Sequence, residues 1–262
     1  MSDQSSGKGN PPGEAGAGSS GDATGLLQAG TESVVARLPT IEACGPPSRP
    51  LLEAILLFAA FYLVAYLPSD PSAGRSLGTV RFYFLLLFDL VPKACVVLYL
   101  MARSEGLGAF GLAKPRFADI PRGTLVALGA LALVAAPSFV LAALGLRNPL
   151  LEASTGSDTA AYLLVPLILL SSLVVGYGEE LFFRSYLIRR LGQSGLPPPW
   201  AMIASSLVFG SAHGLQGPLG VALGSMLGMW FGWRWLRAHN IHEIAIGHAI
   251  YDAAVIIITL YR

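Results

Sequence analysis

Charged residues are scarce in this 262-residue chain. Asp, Glu, Lys and Arg make up 13% of it, whereas ordinary soluble domains carry about 25%. Cysteine is also rare, because Cys44 and Cys95 are the only two. Their separation fits neither a metal site nor a redox motif, which predicts free thiols and no structural disulfide. The net charge of +1 favours neither nucleic acid nor an acidic substrate as a partner. A globular soluble enzyme is therefore disfavoured.

Apolar residues are correspondingly abundant. They form 53% of the chain, and the mean hydropathy is +0.60. A membrane span needs roughly 20 apolar residues, within a range of about 17 to 25. Trp200–Ala212 is short for a span, and Ala160–Leu191 is long enough to emerge at one end. We predict an all-α, polytopic transmembrane bundle with about seven spans, or eight, drawn from these runs: Leu51–Leu67, Phe82–Met101, Thr124–Leu146, Ala160–Leu191, Trp200–Ala212, Gly217–Leu236 and Ile241–Tyr261.

Residues 1–50 differ from the rest of the chain. They are rich in Gly, Ser, Pro and Ala, with scattered charges of both signs. Such a composition buries too little apolar surface to offset chain entropy, so we predict a disordered cytoplasmic tail. No basic start followed by an apolar core is present, which argues against a cleaved signal peptide. The transmembrane domain is expected to cover residues 51–262.

The cationic residues predict the orientation of the chain, because they are enriched in cytoplasmic loops. With the N-terminus in the cytoplasm, 12 of the 17 Lys and Arg residues fall on that side and four on the other. The remaining one, Lys93, lies inside a predicted span, four residues after Asp89 and next to Pro92. We interpret Asp89 and Lys93 as a self-neutralising pair on one helix face.

Two adjacent carboxylates lie inside the Ala160–Leu191 run. Ionisable groups at membrane depth are costly and usually mark a site that faces the protein interior. Glu180 and Arg184 are four residues apart, so they share a helix face in the favourable acid-before-base order. Glu179 points about 100° away from Glu180. We predict that Glu180 is largely occupied by Arg184 and that Glu179 is free to act.

Two of the four histidines occupy apolar helices. His213 ends the Trp200–Ala212 run, one turn after Phe209, and His248 lies in the last run, with Asp252 one turn further on. A lone histidine on an apolar helix is more often a packing residue than a ligand. Here, however, three helices each contain an ionisable side chain that is costly to place in lipid. The arrangement with the lowest cost puts all three side chains in one polar cavity. His239 and His242 are interpreted as interfacial. Gly220, Gly224, Gly228 and Gly232 predict close helix packing between the histidine-bearing helices.

A carboxylate and two imidazoles permit two mechanisms for attack of water on a carbonyl. In the first, a divalent metal such as zinc is held by Glu179, His213 and His248, with Asp252 as a further ligand. In the second, Glu179 and His213 deprotonate water, while His248, oriented by Asp252, stabilises the oxyanion. No helical His-Glu-x-x-His motif is present, so an ordinary zincin is excluded.

Three motifs in this order resemble one family. Glu179-Glu180-x-x-x-Arg184, Phe209-x-x-x-His213 and His248-x-x-x-Asp252 resemble the CPBP (CAAX protease and bacteriocin-processing, or Abi) intramembrane endopeptidases. The resemblance covers roughly residues 160–260. It implies a helical bundle in the bacterial inner membrane whose cavity cleaves membrane-associated, prenylated CAAX-type or bacteriocin-like peptides. It assigns catalytic roles to Glu179, Glu180, Arg184, His213, His248 and Asp252, with Phe209 in support.

One position departs from the family pattern. Well-known members often have asparagine where Asp252 stands, and an ionised carboxylate repels an oxyanion. Asp252 therefore favours metal ligation, orientation of His248 or a protonated state. The alternative functions are a non-proteolytic immunity or scaffolding protein on the same fold, and a proton- or ion-coupled transporter. The expected partners are membrane lipid and a peptide or lipidated protein.

Overall fold

A computed structural model describes residues 45–63, 77–149 and 160–261 of the chain. Residues 1–44 lie outside the described part. They make up most of the predicted disordered tail and include Cys44, so these two expectations stay predictions. Cys95 is a free, exposed cysteine.

All regular structure in the described residues is helical, which confirms the all-α fold class. Leu181–Leu187 is a π-helical segment that joins the helix Ala161–Glu180 to the helix Ile188–Gln193 without a break, and short 3₁₀ turns cover Leu107–Phe110 and Gly214–Gln216. The helices in chain order are α1 (Pro50–Tyr62), α2 (Val80–Ser104), α3 (Asp119–Ala143), α4 (Ala161–Glu180), α5 (Ile188–Gln193), α6 (Pro198–Ala212), α7 (Gly217–Ala238) and α8 (Ile241–Tyr261).

Four helical stretches among the described residues are long and apolar enough to cross a membrane. One of them is the 31-residue stretch Leu163–Gln193, in which α4, the π-helical segment and α5 form a continuous rod. The others are Val80–Ser104, Asp119–Ala143 and Ile241–Tyr261. Helix α1 has 13 residues and α6 has 15, which is short for a span. The chain is thus an integral membrane protein, while the predicted count of about seven spans is not confirmed.

Large apolar side chains cover the outer faces of α2 and α3. Phe88 is 79% exposed, Phe139 77% and Leu125 68%. Contiguous apolar surface of this kind marks contact with a partner or a membrane. By contrast, every residue of the π-helical segment is buried. The long Leu163–Gln193 rod therefore runs through the protein interior in its later half, where the charged residues of the first motif lie.

Glycine allows α4 and α8 to approach closely. A Cβ atom at Gly176 would lie 2.5 Å from the carbonyl oxygen of Ala245 and 3.0 Å from the amide nitrogen of Ala249. Both contacts are with α8 backbone, which cannot rotate away as a side chain can. The glycine row of α7 packs against α6 in the same way. A Cβ at Gly228 would lie 3.0 Å from Ser206 Cα, so the predicted close packing of this row is confirmed on the α6 side.

Replacing Gly176 with alanine is expected to lower the free energy of unfolding by about 1–3 kcal/mol, because the added methyl group overpacks the α4–α8 contact. Gly178, two residues later, provides a matched control, since a Cβ there meets nothing within 4 Å. Gly178→Ala should stabilise the helix by up to about 1 kcal/mol. Thermal unfolding of the three proteins in detergent measures both effects. Equal destabilisation by the two substitutions would contradict the close contact.

An ionic cluster joins the ends of α2 and α5. Glu105 accepts hydrogen bonds from Arg189 Nε at 2.8 Å, from Arg190 Nη1 at 2.9 Å and from Gln193 Nε2 at 2.8 Å. Arg190 is fully buried, and its Nη2 also donates to Ser104 Oγ at 3.0 Å. Burial raises the pKa of Glu105, but these hydrogen bonds and the charge of Arg189 outweigh it, so the pKa lies below its usual value.

The depressed pKa of Glu105 predicts a loss of stability in acid. The folded protein binds this proton less readily than the unfolded chain, so the stabilisation is complete above the unfolded pKa of about 4.5 and is lost as pH falls through the folded pKa. Glu105→Gln should lower the unfolding free energy by roughly 2–3 kcal/mol at pH 7. The difference between wild type and variant should shrink towards pH 3 in detergent unfolding curves. A difference independent of pH would refute the assignment.

Candidate active site

A cavity of about 400 Å³ lies among α1, α2, α4, α6, α7 and α8. Most of its lining is apolar, but its wall also contains four of the residues predicted to be catalytic, Glu179, His213, His248 and Asp252, together with the supporting Phe209. Its size falls within the range of ligand sites, about 300–1,000 Å³. Glu180 and Arg184 lie behind this wall and are fully buried.

Glu180 links the first motif to the third. Its Oε2 lies 3.1 Å from Arg184 Nε, and its Oε1 lies 2.8 Å from His248 Nδ1. The pairing of Glu180 with Arg184 that the spacing predicts is therefore present. Because Glu180 is held as a carboxylate by the guanidinium, it is the acceptor, and Nδ1 of His248 carries the hydrogen that it receives. His248 is consequently oriented by a buried ion pair.

Aromatic rings enclose Arg184. Its guanidinium carbon lies 4.1 Å from the ring centroid of Phe209, 5.7 Å from that of Phe231 and 5.9 Å from that of Phe183. A guanidinium over an aromatic face is attracted by the ring quadrupole, and more strongly where water is excluded. Phe231 also stacks on His248, with centroids 4.9 Å apart. The rings thus fix the cation and the imidazole together.

Glu179 is the carboxylate that remains open to the cavity. Its side chain is 15% exposed, and its Oε2 lies 3.8 Å from His248 Nε2. That oxygen has no hydrogen-bond partner among the described residues. The two adjacent carboxylates therefore differ in their surroundings: Glu180 is held by the ion pair with Arg184 and the contact with His248 Nδ1, whereas Glu179 lines the cavity and its Oε2 approaches His248 Nε2.

His248 Nε2 faces two carboxylates. Besides Glu179, the Oδ2 atom of Asp252 lies 3.5 Å away. A neutral ring nitrogen and two ionised carboxylates would all be acceptors, so this arrangement is stable only with a proton held among the three groups. Asp252 adjoins Nε2 of His248, while Nδ1 is hydrogen-bonded to Glu180. Orientation of His248 by Asp252, one of the roles considered for this residue, therefore stays a prediction that concerns the Nε2 side of the ring.

His213 enters the cavity from the end of α6. Its Nδ1 lies 2.9 Å from the carbonyl oxygen of Phe209, which makes Nδ1 the donor and leaves Nε2 as an acceptor. The Phe209 ring is shared, with its centroid 4.6 Å from that of His213 and 5.9 Å from that of His248. Gly224 leaves room for this ring, since a Cβ there would lie 3.3 Å from His213 Cγ.

The proposed metal ligands do not form a metal-binding group in this arrangement. Within the described ranges, no three His, Cys, Asp or Glu side chains are placed to hold one ion. The donor chemistry of Glu179, His213, His248 and Asp252 would suit zinc, and a carboxylate on His248 Nδ1, as Glu180 provides, is common for metal-bound histidines. The four side chains are not gathered around one point as placed, and the metal-based mechanism stays a prediction.

Several polar residues of the cavity wall were not predicted as site residues, among them two charged ones. Asp89 and Lys93 form the expected ion pair, at 2.6 Å, yet both line the cavity. Tyr62 lines it as well and packs on Phe182 and Phe183, which follow the paired glutamates in the next turn. No local pattern marks Tyr62. The sequence feature that could have identified the Asp89–Lys93 pair as part of the site is the position of Lys93 inside an apolar run.

His242 also differs from its prediction. It is buried, not interfacial, with Nδ1 2.8 Å from the Tyr177 hydroxyl and Nε2 2.8 Å from the carbonyl oxygen of Ala113. Both ring nitrogens are satisfied by protein groups. His242 thus tethers the start of α8 to α4 and to the loop before α3.

The fold and the site define an integral membrane protein with a carboxylate–imidazole cavity among its helices. Residues 161–254 match the family model described as type II CAAX prenyl endopeptidase Rce1-like. The match confirms the resemblance to the CPBP family over the segment from α4 into α8, which contains all the predicted site residues and is less than half of the chain. Neither a curated protein nor a solved structure matches the chain.

Proposed function

We propose that this chain is an intramembrane endopeptidase that hydrolyses one peptide bond of a membrane-associated substrate. CAAX-type prenylated proteins and bacteriocin-like peptides are the substrate classes. The observation that carries the proposal is the unpaired Glu179 oxygen 3.8 Å from His248 Nε2 in the wall of a cavity. A free carboxylate beside a fixed imidazole is the pair that acid–base catalysis at a carbonyl requires.

The reaction begins with a water between Glu179 and the scissile carbonyl. Glu179 takes one proton while the water oxygen bonds to the carbonyl carbon, and the carbonyl π electrons move to its oxygen. His213 Nε2 accepts a hydrogen bond from the same water and aligns it. When the C–N bond breaks, the proton on Glu179 passes to the leaving amine, so the products are a carboxyl group and an amine.

His248 stabilises the oxyanion of the tetrahedral intermediate. Its Nδ1–H is fixed on Glu180, which sets the direction of Nε2, and a hydrogen on Nε2 donates to the developing negative charge. Asp252, 3.5 Å from Nε2, keeps that proton within the site. This role suits an aspartate at a position where the family often has an asparagine, because the carboxylate acts through His248 and not on the oxyanion.

We also propose that the N-terminus is cytoplasmic and that the cavity serves a bacterial inner membrane. Ion pairs hold several basic residues at helix ends, since Glu105 pairs with Arg189 and Arg190, and Asp119 pairs with Arg116 at 3.6 Å. Cytoplasmic ends carry the excess of Lys and Arg. The later half of the Leu163–Gln193 rod then points to the cytoplasm.

Activity is expected to resist metal removal. The proton transfers above need only carboxylate and imidazole groups, so incubation with a chelator and dialysis should leave the rate of peptide cleavage within about twofold of the starting value. Metal analysis of the purified protein should be run beside the assay. Loss of activity that returns with added zinc, with stoichiometric metal lost in His213→Ala and His248→Ala, would restore the metal-based mechanism.

The function is tested with the full chain reconstituted in liposomes. The probe is a fluorescence-quenched peptide with a farnesylated cysteine followed by three residues, and an unlipidated peptide of the same sequence is the control. The expected result is cleavage of the lipidated peptide, with the bond identified by mass spectrometry, and its loss in Glu179→Gln. Cleavage that persists in Glu179→Gln, or none by wild type on this and a bacteriocin-like peptide, would overturn the proposal.

A further inference from the structure

A charged pair lies in the cavity wall outside the family-matched segment. Asp89 and Lys93 belong to α2, with Lys93 Nζ 2.6 Å from Asp89 Oδ2. Lys93 Nζ also lies 5.6 Å from the ring centroid of Tyr62. All three residues line the same cavity as Glu179 and His248. The mechanism proposed above uses none of them.

The charges of this cavity are unequal. Three carboxylates line it, namely Glu179, Asp89 and Asp252, whereas Lys93 is the only Lys or Arg in its described lining. Arg184 does not contribute, because it is fully buried and bound to Glu180. An anionic group of a substrate would be repelled by most of the polar wall. Apart from His248, whose Nε2 hydrogen serves the oxyanion in the proposed mechanism, Lys93 is the position in the described lining where such a group finds a cation.

The ion pair with Asp89 does not use all the hydrogen-bond donors of Lys93. An ammonium has three donor hydrogens, and one hydrogen bond, to Asp89, is assigned to it. The carboxylate of Asp89 is 57% exposed, compared with 21% for Lys93. Asp89 can therefore hold the ammonium from its outer side while a second oxygen anion approaches from the cavity. A cation in mid-helix of an apolar span is also costly, and such residues usually serve a substrate path.

We infer that Lys93 is the binding site for a carboxylate of the substrate, in the wall of the same cavity as Glu179 and His248. The inference rests on the proposed function and extends it to substrate selection. A peptide offers two such groups, its free C-terminus and an acidic side chain. An anchor at a fixed position in a cavity of about 400 Å³ selects the peptide bond that reaches Glu179. Lys93 is thus a specificity-determining residue.

The test compares three forms of one farnesylated peptide: the free acid, the C-terminal amide, and the free acid with each acidic side chain replaced by its amide. They are assayed with wild type, Lys93→Met and Lys93→Arg. Lys114→Met is the matched control, because Lys114 is exposed and outside the cavity lining. The free acid should have a KM at least about tenfold lower than the form lacking the bound carboxylate. Lys93→Met should abolish that difference, Lys93→Arg should keep much of it, and Lys114→Met should leave it unchanged.

A binding assay separates this site from the chemistry. Affinities of the same peptides for Glu179→Gln, with and without Lys93→Met, are measured by thermophoresis in detergent. A Lys93-dependent preference for one carboxylate supports the site even if no peptide is cleaved, a result that would overturn only the hydrolase. Equal affinities and equal KM values for all three peptides would overturn the carboxylate site. So would a loss in Lys93→Met that is the same for every peptide.

Discussion

Glu179→Gln is expected to lower kcat for peptide cleavage by about 10²–10⁴-fold, the usual contribution of a general base. Glutamine has nearly the same shape but cannot take a proton from water. Glu179 Oε2 has no hydrogen-bond partner among the described residues and makes only the 3.8 Å contact with His248 Nε2, so no hydrogen bond of this oxygen is lost. The free energy of unfolding should therefore change by less than about 1 kcal/mol, within the range of substitutions away from special features.

The measurement combines initial rates in liposomes with thermal unfolding in detergent for wild type and Glu179→Gln. KM should change little, because the substitution acts on the transition state more than on substrate binding. Retention of more than a tenth of the wild-type kcat would remove Glu179 from the chemistry. A large drop in stability would instead place it among the structural residues.

Glu180→Gln is expected to affect both stability and activity. Arg184 is 1% exposed and Glu180 is fully buried, with Oε2 of the acid 3.1 Å from Nε of the base. Removing one charge of a buried pair leaves the other uncompensated, which costs roughly 3–5 kcal/mol. His248 also loses its carboxylate acceptor at Nδ1, so Nε2 is less firmly aimed at the cavity, and kcat should fall by at least about tenfold.

A double variant separates the two effects. Glu180→Gln with Arg184→Met removes both charges and puts an apolar chain among Phe183, Phe209 and Phe231. Unfolding free energy should recover by about 1–3 kcal/mol relative to Glu180→Gln, since a buried ion pair can be replaced by apolar packing at little cost. Activity should stay low, because the carboxylate that holds His248 is still absent. If the double variant is no more stable than Glu180→Gln, the ion pair is not what Glu180 supplies.

Substitutions of the two neighbouring glutamates are thus expected to differ in their effects on stability and on the rate of cleavage. Glu179→Gln is a loss of rate in a stable protein, and Glu180→Gln is a loss of stability that carries a loss of rate. Spacing alone predicted this division, because residues four apart share a helix face and adjacent ones do not. Of this prediction, the Glu180–Arg184 contact is present, across the start of the π-helical segment, while the separate roles of the two glutamates stay predictions.

The sequence by itself determined the features that depend on neighbours along the chain. Apolar run lengths gave an all-helical membrane protein, the i, i+4 spacing gave the Glu180–Arg184 and Asp89–Lys93 pairs, and the glycine row gave a close helix contact. The order of the three motifs gave the resemblance to the CPBP endopeptidases, which the family model supports over residues 161–254. Each of these follows from local geometry, namely the rise and turn of a helix and the cost of burying charge.

Only the tertiary structure decided which side chains from distant helices meet. It placed Glu180, and not Asp252, on His248 Nδ1, enclosed Arg184 in aromatic rings, and brought Tyr62 and Lys93 into the cavity wall. These contacts depend on the rotation and separation of helices far apart in the chain. Packing sets both quantities, for instance where Gly176 admits the α8 backbone, and no short sequence pattern encodes them.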